Sequence, residues 1–177
     1  MAKILLISGS PRKGNSDHII SRIFDKLAGE KDIIRLREEK ISQCLGCSVC
    51  FDTQECVQKD LMREIIVKFQ ENDIVVLGTP NYYDNVPGLV KNFFDRLSPL
   101  YDTDLKGKKL VVIISAYHEP GSESLMNCEQ AIRNFARLQN MDVKGVFHFQ
   151  GQEVDDVQKD PKTEGKIDEI VTKIVAL

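Results

Sequence analysis

A chain of 177 residues, 42% of them hydrophobic, is long enough to form one domain, residues 1–177, around a sizeable core. Its formal charge of -3 and the absence of any Lys/Arg block argue against a nucleic-acid surface, and no apolar run approaches the roughly 18 residues of a membrane span. The opening Met-Ala-Lys-Ile lacks the apolar centre of a secretion signal, so five cysteines read as reduced thiols or metal ligands, which points to the cytoplasm.

In chain order, Ile4-Leu5-Leu6-Ile7 has the unbroken apolar character of a strand buried on both faces. A polar loop follows, residues 8–16, and then a helical stripe of Ile19, Ile20, Ile23, Phe24 and Leu27. Such a loop lies at a strand's carboxyl end and a helix's amino end, where unpaired N–H groups and the positive end of the helix dipole favour an anion. Ser10, Asn15 and Ser16 add short donors there, and Arg12 adds a planar cation.

The loop is not one for a triphosphate. Gly9-xxxx-Gly14 is followed by Asn15-Ser16 where a P-loop needs Lys, and no later strand ends in an Asp for magnesium. Gly9-Ser10-Pro11 also lacks the second glycine of a dinucleotide fingerprint. One terminal phosphate, as in FMN, fits better. The plainer alternative is an ordinary strand–helix turn.

Residues 32–36 read as a second strand nearer a sheet edge, and residues 38–57 as a long loop with four of the cysteines. Asp60 is placed as the N-cap of a helix with stripe Met62, Ile65, Ile66 and Phe69. Residues 74–77 form a third, buried strand, ending in an aromatic, turn-rich loop before a helix with Leu89, Val90, Phe93, Phe94 and Leu97. A charged turn over residues 104–109 precedes a fourth strand at 110–114. A helix over 122–139 buries Leu125, Cys128, Ile132, Phe135 and Ala136; then come a fifth, alternating strand at 143–149 and a helix with Ile167, Ile170, Val171 and Ile174.

Five strands alternating with five helices predict an α/β three-layer sandwich with a parallel sheet. The first, third and fourth strands are the most apolar, so order 2-1-3-4-5 is expected, with the site where the order reverses. Residues 8–16, 79–88 and 115–121 converge there. Pro80, Asn81, Tyr82, Tyr83 and Asp84 offer a fixed turn, aromatic surface and backbone N–H groups to a flat ring. The bland reading is an aromatic turn packed on its own helix. Ser115 and Tyr117 join the site only through the topology.

Cys44-x2-Cys47-x2-Cys50-x5-Cys56 is the sharpest local pattern. Three thiols spaced by two residues, with a fourth nearby, can wrap one [4Fe–4S] cubane. Structural zinc usually takes two separated pairs, a redox C-x-x-C leaves two thiols unexplained, and free thiols remain open. Cys128 reads as a small core residue. Of the histidines, His18 reads as solvated or packed, His148 as exposed, and His118 as a candidate donor at the ring face.

The segments S-P-R-x-G-N-S (10–16), P-N-Y-Y-D-N (80–85) and V-P-G-L-V-K-N-F-F-D-R (86–96) resemble the NAD(P)H-dependent FMN reductases of the flavodoxin-like superfamily, over residues 4–149. The resemblance implies a flavodoxin-like fold, a phosphate held by Ser10, Arg12, Asn15 and Ser16, and a ring and ribityl chain held by residues 80–84. It also implies a homodimer or homotetramer with the flavin near a subunit interface. Relatives often carry a glycine pair in the third loop, where this chain has Ser115-Ala116-Tyr117-His118. The cysteine pattern resembles that of the iron–sulfur flavoproteins, with FMN beside a [4Fe–4S] cluster, although related reductases carry several of these cysteines without one. The expected function is hydride transfer from NAD(P)H to FMN and onward to free flavin, a quinone or another acceptor, with no protein acid or base. The alternative is an electron carrier exchanging with a ferredoxin-like partner. A receiver module would need an acidic pair after the first strand, and a C-x5-R phosphatase a cysteine there; neither is present.

Overall fold

The computed structural model describes every residue except 1, 102 and 104. Five parallel strands, β1 (Ile4–Ser8), β2 (Lys31–Arg35), β3 (Ile74–Pro80), β4 (Lys109–Ala116) and β5 (Asp142–Gln150), form one sheet of order β2-β1-β3-β4-β5. This is the expected flavodoxin-like α/β arrangement. The period-two alternation sends one set of side chains to each face. On one face Leu5, Ile7, Val75, Leu77, Val112 and Ile114 pack against α3 (Met62–Glu71), α4 (Gly88–Arg96) and α5 (Glu123–Leu138). On the other, Leu6, Val76, Val111 and Ile113 pack against α1 (Asn15–Lys26) and α7 (Thr163–Val175). Cys128 is buried on the α5 side, and burial pushes its thiol up to about 12.

Several boundaries differ from the sequence reading, each for a local reason. β3 runs on through Gly78, Thr79 and Pro80, and β4 through Ser115 and Ala116. Pro80 is tolerated because β1 has already ended opposite Gly78, so only β4 flanks it, with Pro80 beside Ser115. The long cysteine loop contains a short helix, α2 (Val49–Thr53), between left-handed Ser48 and Gln54. A further short helix, α6 (Asp156–Lys159), occupies the turn before α7, where Asp156 accepts from the N–H groups of Gln152 and Glu153. Asp60 lies one residue before the formal cap of α3; it accepts from Met62 N at 3.2 Å but chiefly binds Arg96. His148 is not exposed: its ring is half-buried 3.2 Å from Glu129, and burial lowers its pKa. Of the charged turn before β4, Asp104 lies outside the described residues. Among the described residues no helix is long and apolar enough to cross a membrane.

Two glycines set how closely the helices approach the ends of the central strands. A Cβ on Gly9 would lie 2.3 Å from Val90, and one on Gly78 2.3 Å from Ile20. The backbones there meet directly, Gly9 N donating to Gly78 O at 2.7 Å. The amino ends of α1 and α4 are thereby drawn onto the carboxyl ends of β1 and β3, where the order reverses.

Candidate functional site

At that reversal a cavity of about 160 Å³ is lined by Ser10, Arg12, Asn15, Ser16, Pro80, Asn81, Tyr82, Ser115 and Tyr117, joined by Gly14, Ala116, Gly151 and Gln152. Nine of the eleven residues expected at the cofactor site therefore come together. The volume is smaller than the roughly 300–1,000 Å³ of pockets that enclose a whole drug-sized ligand, so a flat ring would be only partly covered.

The floor of this cavity is the amino end of α1. Its cap residue is Gly14, no side chain caps it, and Asn15, Ser16 and Asp17 are all buried. A buried, uncapped helix start presents donors and a positive dipole end that want an anion. Ser16 Oγ accepts from Ser115 Oγ at 3.1 Å, and Ser10 Oγ donates to Arg12 O at 2.6 Å, holding the loop closed over the same point. Asn15 also ties the turn after β5 to the site, since its Nδ2 donates to Glu153 O at 2.8 Å and its Oδ1 accepts from Val157 N at 3.3 Å. Gly151 permits this, because a Cβ there would lie 2.7 Å from Asn15 Nδ2.

The carboxylate of Asp17 turns away from the cavity. It accepts from Ser8 Oγ at 2.6 Å and Arg37 Nη1 at 2.7 Å, which keeps a negative charge in the first turn from opposing a bound anion. Sequence reading missed Asp17, Arg37, Gly151 and Gln152; only the acid at the third helical position of α1 was a local signal.

At the cavity wall Asn81 Nδ2 donates to Ser124 Oγ at 2.7 Å, while its Oδ1 is buried with no partner. An orphaned buried acceptor costs about 1–3 kcal/mol, which a ligand N–H or O–H would recover. Tyr82 and Asn85 exchange two backbone hydrogen bonds, 2.8 and 3.1 Å, closing a tight hairpin with Tyr83 and Asp84 at its tip. Both tip residues have positive φ, 51° and 60°, the geometry of a type I′ turn normally given to Asn or Gly. Tyr83 consequently projects fully into solvent, and neither it nor Asp84 lines the cavity. His118 is exposed, its ring edge-on to Tyr117 at 5.4 Å.

Cys44, Cys47, Cys50 and Cys56 all line one small depression, together with Asp95, Arg96 and Ser98. Among the described residues no three His, Cys, Asp or Glu side chains stand close enough for a single metal ion. A cubane spreads its four thiolates around a cluster and not around one ion, and four cysteines lining one depression are the number and kind of donors it takes. In donor type and number the residues present suit such a cluster. Burial raises the Cys50 thiol pKa, with the three other thiols adding to the rise. Arg96 Nη2 reaches Cys56 Sγ at 3.5 Å. Asp95 and Ser98 also border a larger apolar cleft, about 720 Å³, between α4 and α5, walled by Phe51, Phe94, Tyr101 and Phe135.

The fold agrees with what the chain is similar to. The iron-sulfur flavoprotein of Methanocaldococcus jannaschii is 30% identical over 92% of this chain and 88% of that protein. One from Archaeoglobus fulgidus is 42% identical over 53% of this chain, and the match spans about half of that relative's length, 48%. An FMN-dependent NADH-azoreductase from Bacillus anthracis, solved in complex with FMN, superposes with a TM-score of 0.69 over 98% of this chain and 99% of its own, at 15% identity, a likeness of fold. The family model described as NADPH-dependent FMN reductase matches residues 2–153, and the chain belongs to that family.

Proposed function

We propose that the chain is one FMN-binding domain, residues 1–177, that takes hydride from NADPH or NADH and passes electrons to free flavin, a quinone or another acceptor. The observation that carries this reading is the buried, uncapped start of α1 in one cavity with the orphaned Asn81 acceptor. Ser10, Arg12 and Ser16 would hold the phosphate with the first-turn amides, and Asn15 would hold the wall in place. Pro80, Asn81, Tyr82, Ser115 and Tyr117 would hold the ring and ribityl chain. Tyr83 and Asp84 shape the hairpin and would reach a ring only from its open side. Bound FMN supplies the redox chemistry, and the protein binds, orients and tunes it.

The test is direct. Purified protein incubated with FMN and desalted should retain about one flavin per chain. Anaerobic NADPH or NADH should then bleach the flavin band at one equivalent per site, and an added quinone or free flavin should restore it. Protein that retains no FMN, or whose cavity takes a nucleoside triphosphate with magnesium instead, would sink the reading.

The thiol-lined depression favours a second reading, an electron carrier with FMN and a [4Fe–4S] cluster on Cys44, Cys47, Cys50 and Cys56, exchanging with a ferredoxin-like partner. The names of the relatives support it. Free thiols, two of them exposed, suit a reducing compartment such as the cytoplasm. We further propose a homodimer or homotetramer: Phe51, Tyr101 and Leu138 expose apolar surface around the cleft between α4 and α5. Sedimentation of the purified protein should give twice or four times the 20.1 kDa chain mass; a monomer at micromolar concentration would contradict this.

A further inference from the structure

Arg96 ends α4, yet it is only 1% exposed. A guanidinium buried so deeply needs partners for its N–H groups. Nη1 donates to Ser42 O at 2.6 Å and to Asp60 Oδ2 at 2.8 Å. Nη2 donates to Asp60 Oδ1 at 2.8 Å and, at 3.5 Å, to Cys56 Sγ. Nε has no partner. Ser42 lies just before the first cysteine of the pattern, and Asp60 just after the last. One rigid fork therefore grips both ends of the thiol segment and aims its fourth terminal N–H at one of the four sulfurs. Apolar side chains could fill the same space without the desolvation cost of a buried ion pair. The use of an ion pair here asks for a reason beyond packing, and the sulfur supplies one.

We propose that Arg96 is a positioning residue for the sulfur-bound centre: it sets the spacing of the cysteine segment and keeps a hydrogen bond on Cys56 Sγ while that sulfur ligates iron. The proposal rests on the [4Fe–4S] reading of the segment. A hydrogen bond to a ligating sulfur draws electron density from the cluster and favours its reduced, more negative state, so it raises the reduction potential. Asp60 sets how much of the cation's charge is felt. Lysine at 96 would keep a positive charge but lose the planar fork that serves three partners together.

The experiment compares anaerobically purified full chain, wild type, Arg96→Lys and Asp60→Asn. It reads iron and sulfide content, FMN content, thermal midpoint and cluster reduction potential by dye-mediated titration. The wild type should carry about four iron per chain. In Arg96→Lys the ratio of oxidised to reduced cluster at fixed potential should rise about tenfold, equivalent to about 59 mV downward for a one-electron couple. Asp60→Asn, which leaves the Cys56 hydrogen bond but unmasks the cation, should shift the potential upward. A clamp with no effect on the sulfur would lower the thermal midpoint and iron content while the remaining cluster kept its potential, and that result overturns the proposal. If Arg96→Lys does not fold, an unmoved potential in Asp60→Asn overturns it alone. Wild type that holds FMN but no iron removes the cluster reading, and this proposal with it, while leaving the flavin reading standing.

Discussion

Asp60→Leu is expected to destabilise the protein by about 3–5 kcal/mol, because it leaves the guanidinium of Arg96 buried without its counter-charge. Asp60→Leu combined with Arg96→Met should recover a large part of that loss, since no unpaired charge is then left buried, and the remainder is set by the N–H groups of Ser42 and Met62 and the carbonyl of Ser42, which lose their partners. Denaturant unfolding of the full chain measures both. Equal loss in the single and double variants would mean that the cost lies in repacking and not in the stranded charge. The pair also has an acid limit. Hydrogen bonds from Arg96, and then the N–H groups of Ser42 and Met62, hold the Asp60 carboxyl down at about 2 from an ordinary value of 3.8. A carboxyl lowered in the folded state stabilises above its unfolded pKa, and that stability is lost as pH falls through the folded one. The wild type should therefore lose about 2 kcal/mol between about pH 4 and pH 2. Glu164, held down to about 2 by Arg22 and Lys26, titrates in the same window, but it is half exposed and screened by solvent. The part of the acid limb absent from Asp60→Leu is accordingly the part due to Asp60.

This pair also shows where sequence stops being informative. The order of the sheet could be read from apolar runs, because strands buried on both faces leave an unbroken hydrophobic signal in β1, β3 and β4. The loop proposed for the phosphate could be placed from a strand–loop–helix boundary, which is local. Asp60 next to a helix start reads as a cap by the same local logic, and nothing near it indicates that its main partner stands 36 residues away at the far end of α4. His148 likewise looks exposed by alternation, yet β5 is covered by α5, which brings Glu129 against it. The same limit affected the aromatic turn. Pro80-Asn81-Tyr82-Tyr83-Asp84 carries the right chemistry for a ring, but the two-residue hairpin that rotates Tyr83 outward is a property of φ at its tip, where neither residue is a glycine. That the four cysteines share one depression was legible because their close spacing in sequence is a short-range constraint. The guanidinium beneath it was not.

Ser16→Asp should abolish FMN binding in practice, weakening it about a thousandfold or more, while leaving riboflavin binding within about threefold. Ser16 is buried at the second helical position of α1, lines the cavity, and already receives a hydrogen bond from Ser115. A carboxylate there would itself occupy the uncapped amides and complement the helix dipole, so the apoprotein should not lose stability. The phosphate of FMN would then meet a like charge at the point where it needs donors, a juxtaposition that costs several kcal/mol, and each step of about 1.4 kcal/mol is tenfold in affinity. Riboflavin has no phosphate and is spared this repulsion. Fluorescence titration of both ligands on wild type and variant, with thermal midpoints of the apoproteins, gives the comparison. If FMN and riboflavin weaken together while the fold holds, the substitution has disturbed the ring and not the phosphate, and the anion does not sit at the start of α1. If FMN is unaffected, the donors of residues 10–16 serve another purpose, and the cavity must be reassigned from its other wall, beginning with the orphaned oxygen of Asn81.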